Sequence, residues 1–453
     1  MKIDAETVRR FDVPGPRYTS YPTVPQWTET HGAQAHERAL AAAASSTAPL
    51  ALYVHIPFCA KRCLFCGCNT HITRDPNHPP VFIETLLEEA RRVAERLGTR
   101  RSLRQLHLGG GTPTHLTPDE LDSLLSPLLR LFPALPDAEL GIEVHPAVTT
   151  TDHIDMLARH GFDRISMGVQ DFDPQVQDAI RRHQSVAETQ TLIEHARAVG
   201  FSGVNLDLIY GLPHQTPGRW TRTLDAVIGL RPDRLALYSY AHLPSRFPHQ
   251  AAMPERAMPK EDGKVRLFLM ARDRFLDAGY EAIGFDHFAL PTDDLARGLH
   301  DGTLHRNFMG YTTRHAPDLV ALGPSAISQV GPTFAQNDHA LAGWAERVCD
   351  GRLATVRGIA LSADDLARRD AIEGFLCRFV LDVTALRQRH GPAAGGVVAD
   401  IERNTPEWEA ARLVEKDGAL VRATGLGRLF ARNIAMGLDA YLDKNATAFS
   451  RTV

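Results

Sequence analysis

Four of the six cysteines lie within one ten-residue stretch, CAKRCLFCGC, which runs from Cys59 to Cys68. Cys59, Cys63 and Cys66 have the spacing Cys-x3-Cys-x2-Cys and directly follow the run YVHI, which is typical of a strand. The start of the chain lacks the apolar core of a signal peptide, which indicates a reducing cytoplasm, where clustered thiols are more often metal ligands than disulfides. The stretch therefore predicts a metal centre in a loop after a strand.

Three thiolates favour an iron–sulfur cluster over zinc. A structural zinc ion takes four ligands, usually as two separated pairs, and Cys349 and Cys377 each stand alone. Three thiolates hold three corners of a [4Fe-4S] cube and leave the fourth iron open to a substrate or cofactor. Cys68 is too close to Cys66 in sequence to reach another corner without strain. We expect Cys68 beside the site, where it either acts on substrate or is inert.

The cysteine loop belongs to a series of six predicted strand-helix units, which indicates a parallel sheet. Six units are too few to close an eight-stranded barrel, so the sequence predicts an α/β fold, an open, partial (β/α)6 barrel whose lateral gap admits a large substrate. The residues Thr117-Pro118-Asp119-Glu120 predict a capped helix start. The predicted strands lie at residues 51–56, 104–108, 140–144, 164–169, 203–210 and 234–240, with 281–285 as an additional candidate.

The segments outside the barrel differ from it in pattern. Residues 1–47 lack periodicity, are rich in Pro, Thr and Ala, and include GPRYTSYPT, so we expect an N-terminal arm that is extended. Residues 48–350 are predicted to form the catalytic barrel. After residue 350 the strand alternation stops, which predicts a mainly helical C-terminal domain at 351–453. Its end is compatible with a winged helix, but no basic stripe accompanies it, which disfavours DNA binding.

Composition and charge narrow the range of partners. The 453 residues are 43% hydrophobic and 23% charged, and no apolar run reaches the length of a membrane span. Lys and Arg total 50 against 54 acidic residues, so the chain has no overall basic field for a phosphate backbone. We therefore expect no nucleic-acid partner and no membrane partner, and we expect a cytoplasmic monomer.

Polar residues stand at the ends of several predicted strands, where an α/β barrel presents its active site. Glu143, Gln170 and Asp207 each lie at or near such an end. One such residue alone would more often be a hydrogen-bonded core group, but three on successive strands predict one polar site. The glycines of GGGTP, residues 109–113, allow the backbone of a strand-to-helix turn to approach a ligand.

The stretch CAKRCLFC resembles the CxxxCxxC signature of the radical S-adenosylmethionine (SAM) enzymes, in which SAM chelates the open iron of a [4Fe-4S] cluster. Within that superfamily, the chain resembles the oxygen-independent coproporphyrinogen III oxidases from its N-terminal arm to RLFARNI near its end. The motifs that carry this resemblance are PRYTSYPT, YVHIPFC, FCGCN, GGGTPT, MGVQDF, NLDLIYGLP, YAHLP and LHRNF.

The resemblance implies roles for individual residues. The catalytic set comprises Cys59, Cys63 and Cys66, which hold the cluster, together with Glu143. The turn at Gly110, Gly111 and Thr112 meets the SAM amino group. The resemblance also implies two SAM molecules side by side, contacted by Tyr53, Phe65, Glu143, Gln170, Arg182, Asp207, Ala241 and Ile327. These side chains suit the task, since carboxylates bind ribose hydroxyls and arginine pairs with a carboxylate in a bidentate way.

The implied reaction is the oxidative decarboxylation, without O2, of two propionates of coproporphyrinogen III to vinyl groups. It gives protoporphyrinogen IX in haem biosynthesis, and a 5′-deoxyadenosyl radical removes the hydrogen atoms. A reductase or flavodoxin-like protein is expected to supply the electron. An arginine in an arm is ordinarily a solvated charge, but four propionates need cationic partners, so we expect Arg17 to contact substrate.

Three residues depart from the family's pattern, and two other functions stay open. His145 stands where aspartate is usual, Arg181 replaces an asparagine, and Met309 stands where glutamine is common. Because Glu143 and His145 share a strand face, we expect these changes to affect SAM binding or the proton balance more than the reaction type. The alternatives are a haem-binding chaperone-like relative without decarboxylase activity and another radical SAM reaction on tetrapyrroles. The arm and the GCN triplet favour the oxidase over the chaperone.

Overall fold

The computed structural model describes residue 7, residues 10–442 and residues 451–452. The remaining positions of the expected arm and C-terminal domain, 1–6, 8–9, 443–450 and 453, lie outside the described residues. The strands are β1 (Leu50–Ile56), β2 (Phe58–Cys59), β3 (His71–Ile72), β4 (Leu103–Gly110), β5 (Ala134–Val144), β6 (Arg164–Gln170), β7 (Gly203–Tyr210), β8 (Arg234–Ser239), β9 (Glu281–Ile283), β10 (His287–Ala289), β11 (His305–Asn307), β12 (Gly310–Thr312), β13 (Asp318–Leu322), β14 (Ile327–Val330), β15 (Thr333–Asn337), β16 (Thr355–Ala360), β17 (Val380–Asp382), β18 (Val414–Asp417) and β19 (Leu420–Ala423). The α-helices are α1 (Ala33–Ala43), α2 (His78–Leu97), α3 (Pro118–Leu131), α4 (Thr151–Arg159), α5 (Pro174–Ile180), α6 (Val186–Ala198), α7 (Pro217–Leu230), α8 (Glu261–Asp277), α9 (Asp294–Asp301), α10 (Leu341–Cys349), α11 (Ala363–Arg378), α12 (Val383–His390), α13 (Gly395–Ala410), α14 (Gly425–Leu429) and α15 (Ala431–Met436).

Six parallel strands form the open barrel that the sequence predicts. The strands β1, β4, β5, β6, β7 and β8 are hydrogen-bonded neighbours in this order, which is also their order along the chain. They belong to a sheet of twelve strands whose two outer strands are β16 and β9, so the sheet does not close on itself. All six carboxyl ends therefore meet at one edge, which is where α/β proteins bind their ligands.

The helices pack on the sheet through the apolar stripes that their spacing predicts. In α2, Ile83, Leu86, Ala90 and Leu97 are buried, because steps of three and four residues place them on one face. The capping box at the start of α3 is confirmed. The Thr117 hydroxyl accepts from the Glu120 amide at 3.3 Å, and the Glu120 carboxylate accepts from the Thr117 amide at 2.8 Å.

The sheet extends further than the sequence predicts. Strand β13 joins the barrel parallel to β1, and β14, β15 and β16 continue as an antiparallel meander. Strand β16 ends at Ala360, so strand alternation does not stop at residue 350. The strands β13, β14 and β15 were missed because they are only four or five residues long and no helix separates them. Beyond β16 the chain is mainly helical, as predicted, with one small sheet of β17, β19 and β18.

The N-terminal arm is not wholly extended. Its residues AQAHERALAAA form the helix α1, as their high content of alanine favours, and bury His36 and Leu40. The expectation of an extended segment is therefore wrong for residues 33–43. The part before this helix is held by arginines: Arg432 donates to the carbonyl of Pro16 at 3.0 Å, and Arg306 to that of Arg17 at 3.1 Å. Within the described ranges, the helices are too short or too polar to cross a membrane.

Candidate active site

The cysteine loop leaves the carboxyl end of the first barrel strand and is closed by a short strand pair. Strand β2 pairs with β3, and the Thr73 amide donates to the carbonyl of Cys59 at 3.1 Å. The middle of the loop is fixed from the side, because the Leu64 amide donates to the carbonyl of Ile180 and the Leu64 side chain is buried. The loop between Cys59 and Ile72 therefore has a defined conformation, which these hydrogen bonds and the buried Leu64 side chain fix.

The thiols of this loop line one cavity of about 1460 Å³. Cys59, Cys63 and Cys66 are partly exposed to it, and Cys68 is exposed beside them. Burial raises the pKa of Cys59 to about 11, although a contact with the Thr112 hydroxyl at 3.4 Å opposes this rise. Hydrogen bonding from Cys68, whose amide lies 3.4 Å from the Cys66 sulfur, lowers the pKa of Cys66 to about 6. The predicted place of Cys68 beside the site is thus observed, and its role stays a prediction.

The thiols fit an iron–sulfur cube better than a single metal ion. Across the described residues, no three His, Cys, Asp or Glu side chains converge on one point where an ion would bind. The three cysteines line one cavity, and a cube takes each thiolate at a separate corner. A fourth thiolate is not needed there, which leaves one corner for another ligand. The donor set therefore fits a [4Fe-4S] cluster with an open iron.

The GGGTP turn lies against the first residues of the cysteine loop. The Gly111 amide donates to the carbonyl of Ile56 at 2.8 Å, and the Thr112 amide to that of Phe58 at 2.9 Å. A Cβ atom on Gly111 would lie 2.5 Å from the Pro57 carbonyl oxygen, and Gly110 has a positive φ of 119°. Only glycine allows this approach, so the turn brings its backbone to the wall of the same cavity.

Glu143 lies at the junction of three cavities, since it lines the cysteine cavity and two others. Its carboxylate accepts from His107 Nε2 at 3.4 Å and from the Gly110 amide at 3.3 Å. Burial raises the pKa of Glu143, but these two partners outweigh burial and the net shift is downward. The carboxylate is therefore ionised at neutral pH and faces the cavity.

Asp207 is the second carboxylate of the cysteine cavity. Burial, and then the charge of Glu143, raise the pKa of Asp207 to about 6. Its oxygens accept from the Asn205 amide group at 2.7 Å and from the Ser166 hydroxyl at 3.3 Å. The two carboxylates thus differ in proton affinity although they share one cavity.

Gln170 and Arg182 bring polar side chains to the cysteine cavity at the end of the fourth barrel strand. Gln170, the last residue of β6, has a positive φ of 67°, and its side chain is buried in the cavity wall. Arg182 Nε donates to the carbonyl of Gly168 at 3.0 Å, and Arg182 Nη1 lies 3.7 Å from the sulfur of Cys63. The guanidinium therefore faces one corner of the predicted cluster.

A second cavity, of about 590 Å³, lies on the other side of Glu143. It is lined by Tyr53, Met309 and Ile327 among others. His55 Nε2 donates to the carbonyl of Asn69 at 2.9 Å, so His55 Nδ1 is the acceptor for the Tyr53 hydroxyl at 3.2 Å. Tyr53 and Ile327 are far apart in sequence, and strands β13 and β14 bring them together.

Of the three remaining predicted residues, one lines the cysteine cavity and two lie outside it. Phe65 lines the cysteine cavity, and its carbonyl accepts from Gln250 at 3.1 Å. Ala241 is half-buried two residues after β8. Arg17 donates to the carbonyl of Ser239 at 3.2 Å and lies 5.4 Å from the centre of the Tyr238 ring. Arg17 is therefore not the solvated charge of an ordinary surface arginine, and its contact with substrate stays a prediction.

Two of the three departures from the family's pattern lie in the cysteine cavity. His145 Nδ1 accepts from the Ala147 amide at 3.2 Å, and burial together with Arg182 lowers the pKa of His145 to about 3. His145 is therefore neutral and adds no charge to the cavity. Arg181 lies at the mouth, with a left-handed backbone at φ 53°.

Several residues of the site were missed by sequence reasoning. His107 orients Glu143, and His249 donates to the carbonyl of Cys66 at 2.7 Å. The place of His107 in the site could have been predicted, because His107 lies two residues before the GGGTP turn on a predicted strand. His249 and Gln250 carried none, since each reaches the cysteine loop from more than 180 positions away in the chain.

The similarity of the chain to known proteins agrees with this geometry. A family model described as the radical SAM superfamily matches residues 53–227. The oxygen-independent coproporphyrinogen III oxidase of Pseudomonas aeruginosa is 41% identical over 456 residues, which cover 100% of this chain and 99% of the relative. That of Escherichia coli is 40% identical over 452 residues, or 99% and 98% of the two chains. A solved coproporphyrinogen III oxidase from Escherichia coli, described as a radical SAM enzyme, superimposes with a TM-score of 0.91 at 40% identity, over 98% of this chain and 100% of that chain.

An open parallel barrel with three cysteines after its first strand defines a radical SAM enzyme, with a [4Fe-4S] cluster and SAM as its cofactors. Within that class, the chain belongs to the family of oxygen-independent coproporphyrinogen III oxidases.

Proposed function

We propose that the chain converts two propionates of coproporphyrinogen III to vinyl groups and so forms protoporphyrinogen IX in haem biosynthesis without O2. One observation carries the proposal: the three cysteines, Arg182 and the carboxylates of Glu143 and Asp207 line the same cavity. Similarity over the full length to oxidases that are named for this substrate supports the choice of substrate. The division into an arm (1–47), a barrel (48–350) and a C-terminal domain (351–453) stays a proposal from the sequence, although the sheet of the barrel continues through β16 to Ala360.

The reaction removes a hydrogen atom, a carboxylate group and an electron from each propionate. One hydrogen atom leaves the β-carbon, the carboxylate leaves as CO2, one electron passes to an external acceptor, and a C=C bond forms. When bound, the cluster and SAM supply one-electron chemistry and a hydrogen-abstracting 5′-deoxyadenosyl radical. The protein positions the propionate and keeps water away from it.

The residues of the cavity then have distinct tasks. The thiolates of Cys59, Cys63 and Cys66 hold three corners of the cluster, and the turn at residues 110–112 faces the SAM amino group. Arg182 pairs with the SAM carboxylate beside Cys63. The remaining SAM contacts in the proposal, a second SAM molecule included, are Tyr53, Phe65, Glu143, Gln170, Asp207, Ala241 and Ile327.

Ionisation of the two carboxylates supports this assignment. Asp207, with a pKa of about 6, and Glu143, with a lowered pKa, are both ionised at neutral pH. Ionised carboxylates accept hydrogen bonds from ribose hydroxyls. The electron donor is proposed to be a reductase or a flavodoxin-like protein. The monomeric state, the cytoplasmic location and the lack of a nucleic-acid or membrane partner stay predictions.

An anaerobic assay tests the proposal. The cluster-reconstituted protein is incubated with coproporphyrinogen III, SAM, a reductant and a cell extract that supplies the electron acceptor, and vinyl products are separated by chromatography. We expect products with one and then two vinyl groups. Cys63→Ser should form neither, whereas Cys349→Ser, which changes an exposed thiol outside the cavity, should retain the parental rate. If haem is bound or SAM is cleaved without vinyl products, the chaperone-like alternative replaces the proposal.

A further inference from the structure

Three positively charged side chains lie at the mouth of the cysteine cavity, and none of them is among the proposed ligands of the cluster or of SAM. Lys61 and Arg62 lie in the three-residue spacer between Cys59 and Cys63, and Arg181 follows helix α5. All three are exposed and line the cavity. Across the described residues, their side chains take part in none of the ion pairs, in contrast to the neighbouring His183, which pairs with Asp178 at 2.8 Å.

The backbone fixes these cations relative to the cluster site. The left-handed conformation of Arg181, φ 53° and ψ 43°, ends helix α5. As a result, Arg182 turns inward to Gly168 and Cys63, while Arg181 remains exposed at the mouth. The backbone on either side of Lys61 and Arg62 is fixed by two hydrogen bonds, from the Thr73 amide to the Cys59 carbonyl and from the Leu64 amide to the Ile180 carbonyl. The three backbone positions therefore lie at defined places around the cavity.

Exposed apolar side chains accompany the cations. Ile72 is 38% exposed and Val148 is 42% exposed, and both line the same cavity. They are two of the four exposed large hydrophobic side chains in the described part of the chain, so apolar exposure is concentrated here. The acidic side chains of the cavity, Glu143 and Asp207, belong to barrel strands or their ends, which places them at its floor. The mouth thus matches a ligand with an apolar body and several negative charges.

We propose that Lys61, Arg62 and Arg181, together with the exposed Ile72 and Val148 of the same cavity, form a cationic rim that binds the carboxylates of the tetrapyrrole substrate. This proposal rests on the proposed function and extends it to the substrate contacts. The cavity that these residues line also contains the three cysteines of the cluster site. Because the rim lines the cavity itself, a carboxylate bound to it belongs to a molecule that lies over the cluster.

The chemistry of the reaction indicates which carboxylates the rim holds. A reacting carboxylate loses its negative charge when it leaves as CO2. A cation paired with it would stabilise the starting state more than the transition state, and would slow the reaction. The rim therefore binds the two propionates that the product retains, and leaves the reacting propionate over the floor of the cavity. Arg17, by contrast, is engaged with the Ser239 carbonyl and the Tyr238 ring.

Binding of coproporphyrin III, the oxidised macrocycle with the same four carboxylates, tests the rim without turnover. Its dissociation constant is measured by fluorescence on the cluster-loaded protein, whose cluster content is checked by absorbance for every variant. The double variant Arg62→Glu/Arg181→Glu should bind about tenfold or more weakly, because two attractions become repulsions. The variants Arg62→Lys and Arg181→Lys keep the positive charge and should bind coproporphyrin III with nearly the parental dissociation constant. The tetramethyl ester of coproporphyrin III, which lacks the negative charges, should bind the double variant and the parent with the same dissociation constant.

Arg74→Glu provides a matched control, because Arg74 is exposed near the same loop but does not line the cavity. Parental binding by the double variant, or an equal loss in Arg74→Glu, would overturn the proposal. It is overturned too if the double variant binds coproporphyrin III normally but is no longer reduced by an acidic flavodoxin, since the rim would then dock the electron donor. A parent protein that binds through the rim but forms no vinyl product contradicts the proposed function and supports the rim.

Discussion

At the scale of single residues, neighbouring hydrogen-bond donors and a guanidinium group hold the carboxylates and thiols of the cysteine cavity in place. Glu143 is oriented by His107 and by the Gly110 amide, and Arg182 joins the carbonyl of Gly168 to Cys63. Partners of this kind fix the rotamers of the residues that touch the cofactor, and their loss typically costs about 10- to 100-fold in affinity or activity.

Arg182→Ala should weaken retention of the cluster, because the Cys63 thiolate loses its cationic neighbour. We expect about a 10- to 100-fold faster loss of iron to a chelator than in the parent. The measurement is iron released over time from the anaerobically reconstituted protein. Arg130→Ala, which changes an exposed arginine on helix α3, should behave as the parent does. Equal iron loss in Arg182→Ala and the parent would contradict the role assigned to Arg182.

Asp207 should make the stability of the ligand-free protein depend on pH. Its pKa is about 6 in the fold, against 3.8 for an ordinary aspartate, so folding favours the protonated acid. The stabilising contribution of this proton is greatest below about pH 4 and is lost as the pH rises through 6. Between about pH 5 and pH 7, the free energy of unfolding should therefore fall by about 1 kcal/mol more in the parent than in Asp207→Asn. Denaturant unfolding at both pH values measures this difference, and equal slopes would refute it.

At the scale of elements, one buried carboxylate joins the helix after the cysteine loop to the extra strands. Glu89 of α2 accepts from the Gly323 amide at 2.8 Å, from the Asn337 amide group at 2.6 Å and from the Trp344 indole at 3.0 Å. Glu89 is 2% exposed. These contacts connect α2, the β13–β14 turn, β15 and α10, and so support the strands that carry Ile327 to the second cavity.

Glu89→Ala should therefore destabilise the protein strongly. Three buried donors lose their acceptor, and each such loss costs about 1–3 kcal/mol, so we expect a fall of about 3 kcal/mol or more in the free energy of unfolding. Urea unfolding of the ligand-free protein measures it. The adjacent Glu88→Ala removes ion pairs with Arg91 and Arg92 that are partly open to solvent and should cost less than about 1 kcal/mol. Similar losses in both variants would show that Glu89 does not join these elements.

At the scale of the whole molecule, the arm is attached to both the barrel and the C-terminal part. Arg306 on the β11–β12 hairpin donates to the carbonyls of Arg17 and Tyr18, and lies 5.0 Å from the centre of the Phe285 ring. Arg432 on α15 donates to the carbonyl of Pro16. The position of the arm beside the sixth barrel strand thus depends on arginines from two distant segments.

Arg306→Ala should loosen the arm, because two carbonyls lose their donor. We expect trypsin to cleave at Arg17 about tenfold faster, because the arm is detached in a larger fraction of the molecules. Intact-mass analysis of a digestion time course measures the rate. Arg297→Ala changes an arginine whose side chain is 60% exposed and should leave the rate unchanged. Protection of Arg17 equal to that of the parent would show that other contacts hold the arm.

The barrel and the centre of the site were predictable from sequence because their signals are local. Each barrel strand is a short apolar run before a helix, and the cysteines and the GGGTP turn follow such runs directly. The strands β13 to β15 and helix α1 were not predicted, since short strands without helices between them and an alanine-rich segment give no distinct period. The contacts of Arg182 with Cys63 and of His249 with Cys66 were beyond reach for another reason: they join residues 119 and 183 positions apart.

The central claim is that a propionate lying in the cysteine cavity loses a β-hydrogen and its carboxylate together. The most direct test supplies coproporphyrinogen III with deuterium on the β-carbons of its propionates to the anaerobic, cluster-loaded protein. Mass spectrometry then follows 5′-deoxyadenosine, while vinyl groups and CO2 are counted. We expect one deuterium in 5′-deoxyadenosine and one CO2 for every vinyl group. Vinyl groups formed with unlabelled 5′-deoxyadenosine, or SAM cleaved without CO2, would contradict the claim.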